Sequence, residues 1–132
     1  MKQIIEKIIQ RLKCNTPIDD AKRKEALNHL DFGQDPDFIE FILHCDGAEG
    51  FVTPDKFILF WSITDLVNLN PYYPGSEECR DLFFFGSDGA NFGYAIDKQD
   101  NAVVGVDFME IGESKPLQLG DSFADFLTNL IA

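Results

Sequence analysis

Residues 83–97, FFFGSDGANFGYAID, decide how this chain folds. Three phenylalanines, Phe83 to Phe85, form an apolar run rich in strand formers. A glycine-rich turn follows. Beyond it Phe92, Tyr94 and Ile96 alternate with Gly93, Ala95 and Asp97, the period-two pattern of a strand. The turn between could cradle a phosphate, hold a metal or simply reverse the chain. A phosphate loop needs G-x-x-x-x-G-K-[ST], and a dinucleotide turn needs G-x-G-x-x-G before a helix. Here the glycines are Gly86, Gly89 and Gly93, no lysine lies among them, and a strand follows. A calcium loop needs alternating oxygen ligands and a glutamate at its twelfth position. Ser87, Asp88 and Asn91 do not supply that set. The stretch therefore reads as a hairpin with Gly86, Asp88 and Gly89 as structural turn residues. Gly89 takes positive φ without a Cβ penalty, and Asp88 or Asn91 accepts backbone N–H groups.

Working outward, Lys98–Asn101 is a polar turn and Ala102–Phe108 alternates again, so three strands form an antiparallel meander. Phe57–Trp61 is another strand run, and Leu117–Leu119 adds a short one. The N-terminal third has helical spacing instead. Ile4, Ile5, Ile8, Ile9 and Leu12 mark a first helix over about residues 2–13. Thr16–Pro17 starts a second, to about Leu30, and Asp35–Pro36 starts a third, over about 36–46, stopped by Gly47. Thr64–Leu69 makes a short helix before the Asn70–Pro71 break. Asp121 or Ser122 caps a last helix bearing Phe123, Phe126, Leu127 and Leu130. The fold class is α+β, an antiparallel meander with N-terminal helices and a C-terminal helix packed on it, in a single domain over residues 1–132.

The chain carries 11 basic and 23 acidic residues, net −12. Residues 31–132 hold four basic and 19 acidic residues, net −15. Such a body repels nucleic acid and anionic membrane and attracts a basic partner. No apolar run approaches the roughly 20 residues of a membrane-spanning helix. The N-terminus MKQIIEKIIQRLK lacks a signal-peptide pattern. Cys14, Cys45 and Cys79 are odd in number and widely spaced, so free thiols in a reducing cytoplasm are expected.

Catalytic chemistry finds little support. His44 and Cys45 are neighbours on a helix and point in different directions. His29 lies on another helix, and no H-x-x-x-H or C-x-x-C spacing suggests zinc. Neither catalytic residues, nor a metal, nor a cofactor is expected.

In order along the chain, several motifs resemble the SUKH superfamily, the domain of fungal cell-wall-assembly regulators and of many bacterial immunity proteins. Asp35-Pro36-Asp37-Phe38-Ile39-Glu40-Phe41 resembles its L-P-x-D-Y-x-x-F helix start, with Asp35 where leucine is usual. Asp46-Gly47-Ala48-Glu49-Gly50 resembles its N-G-x-x-G helix exit, with Asp46 for asparagine. Phe60-Trp61 with Asp65-Leu66, the 85–89 and 94–97 hairpin, Val104 and the 122–127 helix complete the set. The resemblance implies a non-catalytic protein-binding module, an immunity protein that neutralises a cognate toxin of basic nuclease type. The alternative it implies is a regulatory or small-molecule-binding domain not linked to a toxin, which an aromatic pocket near Trp61 would favour. For a protein partner, the candidate contacts are acids and aromatics where the chain turns: Asp46, Glu49, Asp55, Tyr72, Tyr73, Glu77 and Glu78.

Overall fold

The computed structural model describes residues 2–16, 19–28, 35–70, 81–110 and 115–132, apart from the side chains of Asp20 and Leu69. The elements in order are α1 (Gln3–Arg11), β1 (Lys13–Cys14), α2 (Asp20–Asn28), α3 (Pro36–His44), β2 (Ala48–Thr53), β3 (Lys56–Phe60), α4 (Ile63–Leu69), β4 (Leu82–Ser87), β5 (Phe92–Asp97), β6 (Val103–Asp107), a 3-10 turn (Phe108–Glu110), β7 (Leu117–Gly120) and α5 (Phe123–Leu130). The strands lie side by side in chain order and every neighbouring pair is antiparallel. The class is α+β, as the sequence implies, but the meander is longer than its clearest three strands. Two strands are additions: β2, and the two-residue β1 that pairs with it.

The core is aromatic. Successive strand residues face opposite sides of the sheet; Phe83 and Phe85 both face α3, and Phe85 also meets α5. Phe38 of α3 packs on them at centroid distances of 6.2 and 5.5 Å. Phe123 and Phe126 of α5 meet Phe85 edge-on at 5.6 and 5.8 Å. Phe41 of α3 and Phe60 of β3 close the cluster at 4.6 Å. Such pairs contribute about 0.5–1.5 kcal/mol each beyond the area they bury. Phe84, on the opposite face, is fully buried and packs against Phe108 at 5.7 Å.

Buried polar groups tie the helix ends into this core. Asp35 caps α3 by accepting from the Asp37 N–H at 2.9 Å, and its second oxygen accepts from the Phe123 N–H at 3.1 Å. One carboxylate thus serves the N-termini of α3 and α5, where unpaired donors and helix dipoles favour negative charge. Ser62 and Ser122 cap α4 and α5 through the Asp65 and Asp125 N–H groups. α2 begins at Asp20, not at Thr16–Pro17, because Asp19 accepts from the Ala21 and Lys22 N–H groups. α3 ends at His44, two residues early, where Cys45 turns to extended backbone. Asn70 substitutes for a strand neighbour: its side chain donates to the Phe84 carbonyl at 2.9 Å and accepts from the Phe84 N–H at 2.7 Å.

The cysteine expectation is corrected. Cys14 and Cys45 form a disulfide, with Cα atoms 5.1 Å apart. β1 carries Cys14 alongside β2, whose first residue follows the α3 exit by four positions, so the fold brings the two sulfurs together. Cys79 lies outside the described residues.

Candidate functional site

The turn that opens the sequence reading shapes one side of a surface cleft. Asp88 organises that turn. Its Oδ1 accepts from the Ala90 N–H at 2.9 Å and the Phe92 N–H at 3.3 Å, and its own N–H donates to the Phe92 carbonyl at 3.0 Å. Gly89 has φ 82°, a region that favours glycine. A Cβ there would also lie 2.8 Å from the Phe57 ring. Gly86 is not a turn residue. It lies within β4, where a Cβ would meet the Leu59 carbonyl oxygen at 2.4 Å, so its lack of side chain lets β3 and β4 approach. Asn91 contributes its carbonyl, which accepts from the Phe108 N–H at 2.7 Å.

The cleft encloses about 480 Å³. Its walls are the β2–β3 hairpin, with Phe51 and Phe57, and the last turn of α5, with Asn129 and Leu130. Phe92 and Tyr94 of β5 line it between those walls, and Phe126 continues the lining toward the core. Tyr94 packs on Phe126 at 5.2 Å and on Phe92 at 6.0 Å, so the surface aromatics are continuous with the interior cluster. Phe51 sits at the rim, 61% exposed, edge-on to Phe57 at 5.4 Å. Phe51 and the lining rings together make a contiguous apolar surface, the kind of patch that marks candidate binding sites.

Three charges border this apolar surface: Asp55, Lys56 and Asp88. Asp55 is exposed in the hairpin turn and accepts from the Thr53 hydroxyl at 2.8 Å. Lys56 donates to the Leu130 carbonyl at 3.2 Å, at the C-terminal end of α5 where a cation is favoured. Tyr94 is 8% exposed, and its hydroxyl opens to solvent in the cleft with no protein partner among the described residues. Burial, and then the charge of Asp88, raises its phenol above the ordinary value of 10.0.

The other candidates fall elsewhere. Asp46 is corrected from a surface contact to a structural group: it is buried, and its carboxylate accepts from the Ile63 N–H at 2.8 Å, satisfying a donor at the start of α4. Glu49 is exposed on β2, opposite Lys13 of β1, and does not line the cleft. Tyr72, Tyr73, Glu77, Glu78 and His29 lie outside the described residues. Trp61 is buried and is not part of the lining, so the aromatic cleft lies away from it. His44 is exposed and Cys45 is bonded to Cys14. Among the described residues no group of three or more His, Cys, Asp or Glu side chains is placed to hold a metal ion.

Sequence reasoning missed Phe51, Phe57, Phe92 and Tyr94 as site residues. The signal was present in part. Phe92 and Tyr94 share one strand face near a turn, and Phe51 is an isolated aromatic beside the Thr53–Asp55 turn. No protein-family model matches this chain, and no curated protein matches it.

Proposed function

We propose that the chain is a non-catalytic protein-binding module, an immunity protein that neutralises a basic, nuclease-type toxin by occupying its cationic surface. The cleft carries this reading. It joins an exposed aromatic, a tyrosine hydroxyl open to the cleft and two carboxylates on a body of net −15. Interfaces concentrate their energy in aromatic anchors, and acidic rims speed encounter with cationic partners. The resemblance supports the same reading, since the helix–sheet–helix order is the one it implies. Its two departures are also chemically benign. Asp46 acts purely as an acceptor, which asparagine does equally well. Asp35 in place of leucine gains two N–H partners.

Among the described residues no helix is long and apolar enough to cross a membrane. We place the protein in the cytoplasm, where a nuclease would meet its substrate; the Cys14–Cys45 disulfide is of a kind uncommon in that compartment and is the observation that weighs against this placement. The test is complex formation with the protein encoded beside this chain's gene, by light scattering and inhibition assay. A one-to-one complex that abolishes the toxin's activity is expected. Failure to bind any co-encoded protein removes the immunity reading.

A second reading has one observation in its favour. A concave volume of about 480 Å³ lies in the range of small-molecule sites, about 300–1,000 Å³. A regulator that binds a small ligand would use the same cleft without any toxin. Saturation of the cleft by a metabolite, with no protein partner, identifies that case.

A further inference from the structure

We propose that the cleft is the seat of an arginine side chain presented by the protein partner, with its guanidinium held between Asp88 and Asp55 and stacked on the Phe57–Phe92 walls. This rests on the protein-binding reading above and specifies what the surface recognises.

The residues fit that occupant in four respects. First, Asp88 uses only Oδ1 to hold its turn, and Oδ2 has no partner among the described residues. The turn fixes the carboxylate in place, so little side-chain entropy is lost when a cation arrives. Second, Phe57 and Phe92 are half-buried, leaving ring surface open to the cleft. A guanidinium stacks on such faces and is more weakly hydrated than an ammonium, which favours arginine over lysine. Third, the Tyr94 hydroxyl opens to solvent in the cleft and has no protein partner among the described residues, although the ring below it is buried. A guanidinium N–H donates to that oxygen in place of water. Fourth, the competing cation is already engaged: Lys56 donates to the Leu130 carbonyl at the end of α5.

The rim argues for a protein source of this cation. Phe51 stands 61% exposed at the mouth. A free amino acid or small amine filling the floor would leave that ring in water. A partner surface carrying the arginine covers it, and the surrounding carboxylates attract basic surface over a Debye length of about 8 Å at physiological ionic strength.

The experiment is a two-dimensional NMR titration of the full chain with N-acetyl-arginine amide, its neutral isostere N-acetyl-citrulline amide, and choline. Arginine is expected to shift the amides of Phe57, Asp88, Phe92 and Tyr94, with citrulline at least tenfold weaker. Asp88→Asn retains the turn acceptor and should weaken arginine about tenfold or more. Tyr94→Phe keeps the ring and should weaken it about three- to tenfold, the range for one hydrogen bond. Equal shifts with citrulline, shifts confined to other surfaces, or choline binding in preference to arginine would each overturn the proposal. The two readings fail separately. Arginine binding without any co-encoded partner removes the immunity reading and leaves the cleft. A co-encoded partner that binds Asp88→Asn as tightly as the natural protein removes the arginine seat and leaves the immunity reading.

Discussion

Replacing Asp35 with alanine removes two acceptors from the interior at once. The Asp37 N–H at the start of α3 loses its cap, a change that costs about 0.5–2 kcal/mol. The Phe123 N–H at the start of α5 is left without its partner in a buried setting, which costs about 1–3 kcal/mol. Some of that donor's loss is recovered by water reaching the shortened side chain. The net expectation is about 2–4 kcal/mol of lost stability. Trp61 is the chain's one tryptophan and is buried, so its fluorescence reports urea unfolding. With a urea dependence of about 2 kcal/mol per molar, the midpoint should fall by about 1–2 M with an unchanged slope. Asp35→Asn keeps one acceptor oxygen and should fall between alanine and the natural protein. Ser122→Ala removes a single solvent-side cap of α5 and should cost about 1 kcal/mol. A midpoint shift below about 0.3 M for Asp35→Ala would refute the shared-cap account, because less than a single hydrogen bond would then have been lost.

Three further outcomes follow from single features. Gly89→Val should destabilise by about 1–3 kcal/mol, since φ is 82° and the new side chain meets Phe57; an unchanged thermal midpoint contradicts this. The Cys14–Cys45 bond closes a loop with a sequence separation of 31, worth about 3.7 kcal/mol in the chain-entropy model, so Cys14→Ala with Cys45→Ala should unfold at markedly lower temperature than the oxidised protein. Thiol titration of the unreduced, denatured chain should find one free thiol, and a count of three would show that the bond does not form. The Tyr94 phenol is raised by burial and by Asp88, so the folded state keeps its proton longer than the unfolded chain. The resulting stabilisation is complete below the unfolded value near 10 and is lost as pH climbs through the higher folded value. Phenolate absorbance compared with Tyr94→Phe isolates the group, and Asp88→Asn should lower its titration; no change on that substitution contradicts the contact.

Much of the fold was legible because its signals are local. Asp35–Pro36 and Ser122 mark helix starts through donors that lie within three residues. The alternation of Phe92, Tyr94 and Ile96 marks a strand for the same reason. β2 escaped because Ala48–Thr53 places Gly50 at its centre and its inward pattern is interrupted by a register shift near Phe51. β1 has two residues and exists through its pairing with β2. The roles of Asp35 and Asp46 were hidden for a different reason. Each carboxylate serves a helix start distant in sequence, so a surface acid and a buried cap read alike in one dimension. The disulfide and the cleft share that property. Cys14 meets Cys45 through β1 and the α3 exit. Phe51, Phe57, Phe92 and Phe126 meet because a hairpin, a strand and the last helix converge. Helix and strand identity is written in local spacing; sites are written in tertiary geometry.

The central claim is that an acidic, aromatic-floored surface captures a basic protein. The most direct measurement is stopped-flow association with the proposed toxin partner, any protein encoded beside this chain's gene that binds it, at ionic strengths from about 0.01 to 0.15 M, where the screening length falls from about 30 to about 8 Å. The account predicts an on-rate that reaches toward about 10⁸ M⁻¹s⁻¹ at low salt and drops steeply as salt rises. Asp55→Asn with Asp88→Asn should slow association and flatten that slope, while Phe57→Leu should raise the off-rate with little change in approach. An on-rate independent of salt, in a complex that tolerates all three substitutions, would contradict it.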